Sequence, residues 1–296
     1  MPKEGDLLKK HFDINNVSDF PLIFLTDERR KHFKQLRNPS RWKKQFGLKE
    51  EDITIGVFGM LSAYKNYLHS LRTLNLLPPQ YKLLIIGEAH HMNIKEWQVD
   101  PVIQEMVTYL DNHPTLADQV VFTGRRDDSK YYEDIANVDF VLLPTFEAGQ
   151  SSSATLCNAL ELSCPILKSN NLNTQEYEIY FPDCFEVFDI GNYYETKHKI
   201  INFDKTKTAN LCKRSELFSE VPLQQMYMNI YETMKACIPI NLSSSKTLEH
   251  AIHKMNRFDL FSKKIHQSRI IRTLFYRLPR PAQALLRKLK NKLLKK

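Results

Sequence analysis

Short apolar runs alternate with helix-length segments along the middle of the chain. The runs cover residues 53–60, 81–88, 119–124, 138–145, 165–170 and 184–190, and they are rich in Val, Ile, Leu and Phe. Runs that are apolar throughout predict parallel strands covered on both faces. Between them, residues 100–112, 129–137 and 152–162 have helix length and start at Asp or Ser, whose side chains cap free N–H groups. The pattern predicts an α/β fold, a doubly wound parallel sheet that takes ligands beyond the carboxyl ends of its strands.

The flanks read differently. Residues 20–26 suggest one further strand and residues 29–37 a basic helix, so residues 1–50 form a lead-in to a Rossmann-like domain over residues 51–205. A second full lobe needs well over roughly a hundred residues, which the lead-in does not offer. Residues 221–235 place Leu223, Met226, Tyr227, Ile230 and Met234 at helical spacing, within C-terminal helices that extend over residues 206–262. Residues 243–245 read as a linker, and residues 263–296 as a basic amphipathic tail.

Composition narrows the classes. Of 296 residues, 42% are hydrophobic and 26% charged, which suits a globular body. No apolar run approaches the roughly 20 residues of a membrane-spanning helix, and the first ten residues lack the apolar core of a secretory signal. A cytoplasmic location is expected. The cysteines Cys157, Cys164, Cys184, Cys212 and Cys237 are scattered, and His90 and His91 have no Cys or carboxylate at ligand spacing, so neither disulfides nor a metal site is expected.

The net charge of +8 belongs to the tail. Nine Lys and Arg lie between Arg272 and Lys296 with no Asp or Glu, which leaves the rest of the chain near −1. Over residues 278–296, Ala282, Leu285, Leu286, Leu289 and Leu293 share one helical face, with Arg287, Lys288, Lys292 and Lys295 largely on the others. That arrangement favours an anionic membrane surface, here the inner face of the membrane, with peripheral attachment. Nucleic acid is the rival partner, but the body offers no recognition motif for it; a merely solvated tail is the other alternative.

Four features fall where the sheet would receive a ligand. After the first strand, residues 59–66 close with Gly59 and carry Lys65 at the next helix start, beside N–H groups that attract anions. Gly87 and Glu88 follow the second strand, and Gly124, Arg125 and Arg126 the third. Residues 144–153 hold Glu147, Gly149, Ser151 and Ser152 before a helix that passes through Asn158. Free N–H groups there suit phosphate oxygens, and Glu147 suits sugar hydroxyls. Each feature also has an ordinary reading: a solvated lysine, a solvated arginine loop, a serine N-cap.

Taken in order, Gly59 with Lys65, the run 83–88, residues 121–124, and 142–144 leading to Glu147 and Pro165 resemble the donor-binding lobe of family 4 glycosyltransferases, over roughly residues 53–178. The resemblance implies a single Rossmann-like lobe of the GT-B fold and metal-independent, retaining transfer of a hexose from a UDP- or GDP-sugar. No cofactor is implied beyond that donor, and a glycan or lipid-linked acceptor is expected. It makes Lys65 the diphosphate ligand and Glu147, the first glutamate of an E-x7-E motif, the catalytic residue. Gly59, Gly87, Gly124, Arg125, Gly149, Ser151, Ser152 and Asn158 fill the donor site. The sequence departs from the family at Met60, where an arginine is common, and at the second motif glutamate. Counting back from Pro165 puts Asn158 there, and counting forward from Glu147 puts Thr155 there. The acceptor lobe of these enzymes has no counterpart in the chain, so a partner chain is a candidate source of it. A non-catalytic donor-binding or scaffold subunit is the alternative function. No Asp-x-Asp occurs, which leaves charge neutralisation to Lys65, Arg125 and a helix N-terminus.

Overall fold

A computed structural model describes residues 6, 10–11, 19–89, 100–146 and 152–237. The chain divides into two compact units, residues 1–230 and 231–296, and residues 231–237 of the second are described. Six strands form one parallel sheet: β1 (Ile53–Phe58), β2 (Tyr81–Ile86), β3 (Val120–Gly124), β4 (Phe140–Leu143), β5 (Ile166–Ser169) and β6 (Glu186–Phe188), in the spatial order β3-β2-β1-β4-β5-β6. This is the doubly wound arrangement, with the order reversing between β1 and β4.

Neighbouring side chains along each strand enter different cores. Phe58, Leu84, Ile86, Val141, Leu143 and Ile166 join one buried cluster, while Ile55, Val57, Leu83, Ile85, Leu142 and Leu167 join the other. Parallel strands need cover on both sides, because their crossover connections leave no face for water. On the second face lie α3 (Tyr67–Leu74) through Leu71 and Leu74, α4 (Pro101–Asp111) through Met106, and α10 (Tyr193–Ile201) through Ile200; α5 (Pro114–Ala117) adds Leu116. On the first face lie α6 (Asp128–Asn137), α7 (Ala154–Glu161) and α11 (Lys205–Leu217), through Ile135, Leu156 and Leu211. Short helices α8 (Leu172–Gln175) and α9 (Tyr177–Tyr180) connect β5 to β6, and α12 spans Glu220–Cys237. The caps follow side-chain chemistry: Asp100 accepts from Val102 N–H, Asp127 from Lys130 N–H and Ser153 from Leu156 N–H.

The lead-in packs onto the first face through α1 (Asp27–Gln35) and α2 (Pro39–Lys44), which bury Phe33 and Trp42 in the same cluster as the strands. The Trp42 indole N–H donates to Asp134 at 2.8 Å, and the Arg126 guanidinium holds the same carboxylate at 2.7 and 3.0 Å. Residues 20–26, expected as a strand, join no sheet and bend at Leu25. Their N–H groups go instead to a side chain: Phe24 and Leu25 donate to the Glu161 carboxylate at 3.0 to 3.1 Å. Glu161 is 2% exposed, and burial raises its pKa against the pull of those N–H groups and of Arg30 at 3.7 Å. Arg30 in turn caps the end of α11, donating to the carbonyls of Ser215 and Phe218 at 3.0 and 3.1 Å. Among the described residues no helix is long and apolar enough to cross a membrane.

Removing the Glu161 carboxylate leaves buried donors unpaired, so Glu161→Ala should cost on the order of 3 kcal/mol of stability. Urea denaturation measures this, and an unchanged midpoint would mean that the lead-in docks without the carboxylate.

Candidate functional site at the β1–β4 switch

Strands β1 and β4 pair only at Ile55↔Phe140 and Gly56↔Val141, although β1 runs on to Phe58 and β4 to Leu143. They part where the strand order reverses, which is where an open α/β sheet receives ligands. The turn after β1 then bends tightly. Residues Ala63–Lys65 make one 3-10 turn, and Asn66 adopts the left-handed conformation with φ 56° and ψ 50° before α3 begins at Tyr67.

Lys65, expected at the helix start, thus ends the 3-10 turn two residues before α3, and the ordinary reading of it as a solvated lysine does not hold. The side chain folds beneath Gly59 and is 7% exposed; its ammonium donates to the Phe58 carbonyl at 3.1 Å and to the Thr155 hydroxyl at 3.4 Å. Phe58 ends β1 and Thr155 lies in the first turn of α7, so the lysine bridges the two sides of the switch. Burial pulls its pKa from the ordinary 10.5 down to about 8, and no described carboxylate pairs with it. The N-terminal end of α7 adds further positive potential there. The site therefore holds an uncompensated cation, which an anion would stabilise.

The glycines have separate reasons. Gly87, at φ +153°, could not carry a side chain, because a Cβ would meet the Gly59 carbonyl oxygen at 1.9 Å. The turns after β1 and β2 thus pack backbone to backbone, and Leu61 bridges to Ala89. Gly124 has φ +68° with open space around it, as a turn leaving β3 at the crevice mouth requires. Of the two arginines that follow, only Arg125 stays outside, 3.5 Å from Glu88 in an exposed pair. Arg126 is drawn back to buried Asp134, so the expected pair of cations at the mouth is one.

Helix α7 is buried almost throughout. Asn158 lies one turn beyond Thr155, is 5% exposed, and its Oδ1 has no partner. The Tyr131 ring of α6 meets Phe58 edge-on at 5.6 Å, and burial raises the pKa of its phenol. Ser152 hydrogen-bonds the Tyr177 hydroxyl, which also meets Cys157 Sγ at 2.9 Å. Glu147, Gly149 and Ser151 lie outside the described residues, as do His90 and His91. Thr155 was legible as the forward-counted motif position. Surface cavities of about 400 and 440 Å³, the first lined by Glu178, Phe185 and Lys199 and the second by Asp27, Lys31 and Glu216, involve none of these site residues.

No family model matches the chain, and no curated protein matches it in sequence. Solved structures do resemble it. HepE from Anabaena in complex with UDP is 19% identical with a TM-score of 0.56, over 69% of this chain and 55% of that one. Sucrose-phosphate synthase from Thermosynechococcus elongatus is 15% identical with a TM-score of 0.59, over 80% and 57%. A UDP-forming α,α-trehalose-phosphate synthase from Burkholderia xenovorans is 10% identical with a TM-score of 0.57, over 76% and 57%. The chain spans a little over half the length of each. The architecture is that of the Rossmann-like lobe of the GT-B glycosyltransferase fold, as the sequence resemblance implied.

A buried lysine titrating near 8 has a signed effect on stability. The unfolded lysine keeps its proton up to about 10.5 while the folded one loses it near 8, so the unfolded state binds more protons between those values and stability rises with pH across that window. Lys65→Met should remove this rise and stabilise the ligand-free protein below pH 8 by up to about 3 kcal/mol. Chemical denaturation at pH 7 and pH 10 checks both; a parallel pH dependence in mutant and parent would contradict the buried, unpaired ammonium.

Proposed function

We propose that the chain binds a nucleoside diphosphate sugar at the β1–β4 switch and serves as the donor lobe of a hexosyltransferase. The observation that carries the reading is the Lys65 ammonium, buried at the ends of β1 and α7 without a described carboxylate beside it. A diphosphate supplies the missing negative charge, and the N–H groups at the α7 start add donors that need no reorganisation. HepE, a protein of the same fold, is known in complex with UDP, with UDP and glucose, and with UDP-glucose, which supports UDP as the first nucleotide to test.

In this reading Lys65 neutralises the leaving diphosphate, Arg125 stands at the mouth beside the base, and Glu147 acts on the sugar in a retaining, metal-independent transfer. The acceptor is a membrane-associated glycan or lipid-linked sugar, and the basic tail holds the protein at the inner membrane face. The tail lies outside the described residues, so this part rests on its leucine face and the nine cations between Arg272 and Lys296. A second reading, a non-catalytic donor-binding or scaffold subunit, draws on the motif change: where the family has a second glutamate, this chain has Thr155 or Asn158. A neutral amide or hydroxyl holds a ribose hydroxyl with less strength than a carboxylate.

Calorimetric titration of the full chain with UDP, GDP and their hexose conjugates tests the donor site. Binding is expected for the parent, and Lys65→Ala should weaken it on the order of tenfold to a hundredfold, the range of a hydrogen bond to a charged group. Equal affinity in both proteins would remove Lys65 from the site. Turnover of the bound sugar nucleotide separates the enzyme from the scaffold.

The tail is tested by flotation. The full chain should rise with vesicles containing anionic lipid and detach partly as salt increases, while a chain lacking residues 278–296 should stay behind. Retention of the shortened chain on the vesicles would place membrane binding elsewhere.

A further inference from the structure

The start of α7 carries hydroxyls on Ser152, Ser153 and Thr155, and two of them are already committed. Ser153 caps the helix, accepting from Leu156 N–H at 3.3 Å, and Thr155 accepts from the Lys65 ammonium. The third, on Ser152, is half-buried and hydrogen-bonds the Tyr177 hydroxyl, which reaches it from α9. On its other side the same phenol meets Cys157 Sγ of α7 at 2.9 Å. Tyr177 and Cys157 are fully buried in the first core, and among the described residues their side-chain polar atoms bond only within this cluster.

Each of the three groups has one hydrogen to donate, and two contacts leave one hydrogen over. If Ser152 donated to Tyr177 and Tyr177 to Cys157, the spare hydrogen would be that of a thiol closed in the core, and sulfur would serve as acceptor, a role it fills weakly. In the opposite order Cys157 donates to Tyr177 and Tyr177 to Ser152. Oxygen is then the acceptor in both contacts, and the spare hydrogen belongs to the one member of the cluster that is not fully buried. Burial also keeps the thiol protonated, raising its pKa to about 11, so it has a hydrogen to give.

We propose that Tyr177 is a positioning residue of the donor site: its phenol donates to Ser152 Oγ and so turns the Ser152 O–H outward, to the diphosphate that Lys65 attracts. The phenol itself never touches the ligand. Its place is fixed by the core, so the hydroxyl it aims is oriented before an anion arrives, which lowers what binding must still order. At the N-terminal end of α7 that O–H adds a donor to the free N–H groups of the helix.

The proposal rests on the reading of the switch as a diphosphate site, and its test keeps the two apart. Affinities for UDP and for inorganic pyrophosphate are measured by calorimetry on the full chain and on Tyr177→Phe, Ser152→Ala and the double variant. Tyr177→Phe and Ser152→Ala should each weaken UDP on the order of tenfold, and the double variant should bind no worse than Ser152→Ala alone. A role confined to holding the core would weaken binding equally with and without the Ser152 hydroxyl, so additive losses, or no loss in Tyr177→Phe, overturn the proposal. The direction of the chain is read from the infrared S–H stretch of Cys157, identified by its loss in Cys157→Ala. It should lie at the frequency of a hydrogen-bonded thiol in the parent and move to that of a free one in Tyr177→Phe. A free thiol in the parent reverses the chain and overturns the proposal, a decision that stands even if Tyr177→Phe does not fold. If the parent binds pyrophosphate but not UDP, the nucleotide reading fails, while the same cycle run with pyrophosphate decides on Tyr177. Binding of neither removes the anion site and the proposal together.

Discussion

The constraint on which the rest of the molecule depends is that an all-parallel sheet cannot leave either face to water. Each strand sends successive side chains into two separate cores, one built with α3, α4 and α10, the other with α6, α7 and α11. The crossover helices alone do not complete the first of these cores. Phe33 and Trp42 from the lead-in and Leu211 from beyond the sheet fill it, so residues before β1 and after β6 belong to the same body as the strands. Burial of this kind, at about 25 cal/mol per Å² of apolar surface, outweighs any local preference of the lead-in for a strand or a loop.

That cover forces polar chemistry into the interior. Helix α7 is apolar on most sides and meets the lead-in, the sheet and α6, so its polar residues must find partners where they stand. Glu161 satisfies the N–H groups of Phe24 and Leu25, and Asp134 on α6 takes Trp42 and Arg126. Thr155 meets the Lys65 ammonium beside the gap left where β1 and β4 part, and Asn158 is buried one turn further along α7. Fold-anchoring polarity and the polar residues of the candidate site thus share one helix. Its C-terminal half anchors the fold and its N-terminal turn borders the site.

The ammonium of Lys65 costs stability in the free protein, since burial lowers its pKa and no described carboxylate repays it. Groups kept in such a state are found where a ligand completes the electrostatics. The tight approach of Gly87 to the Gly59 carbonyl holds the turn that creates this geometry, and a side chain at position 87 has no room.

Much of this was determined by the sequence alone. The six strands and their parallel sense follow from continuous apolar runs separated by capped helices, because period and capping are local properties. Gly59, Gly87 and Gly124 were legible for the same reason, since each stands at the end of a strand, and Lys65 by its place in the turn that follows β1. The tertiary structure decided what those residues face. Lys65 was read at a helix start and instead ends a 3-10 turn, its side chain buried against the Phe58 carbonyl and the Thr155 hydroxyl, partners set by packing of the helix after β4. Residues 20–26 looked like a strand and are not one, because their N–H partners belong to Glu161, more than 130 positions away. Arg126 turns back from the crevice to Asp134, whose carboxylate also takes the Trp42 indole N–H from the lead-in. Strand and helix patterns are written by neighbours along the chain, whereas the partner of a buried charge or hydroxyl is set by packing across it.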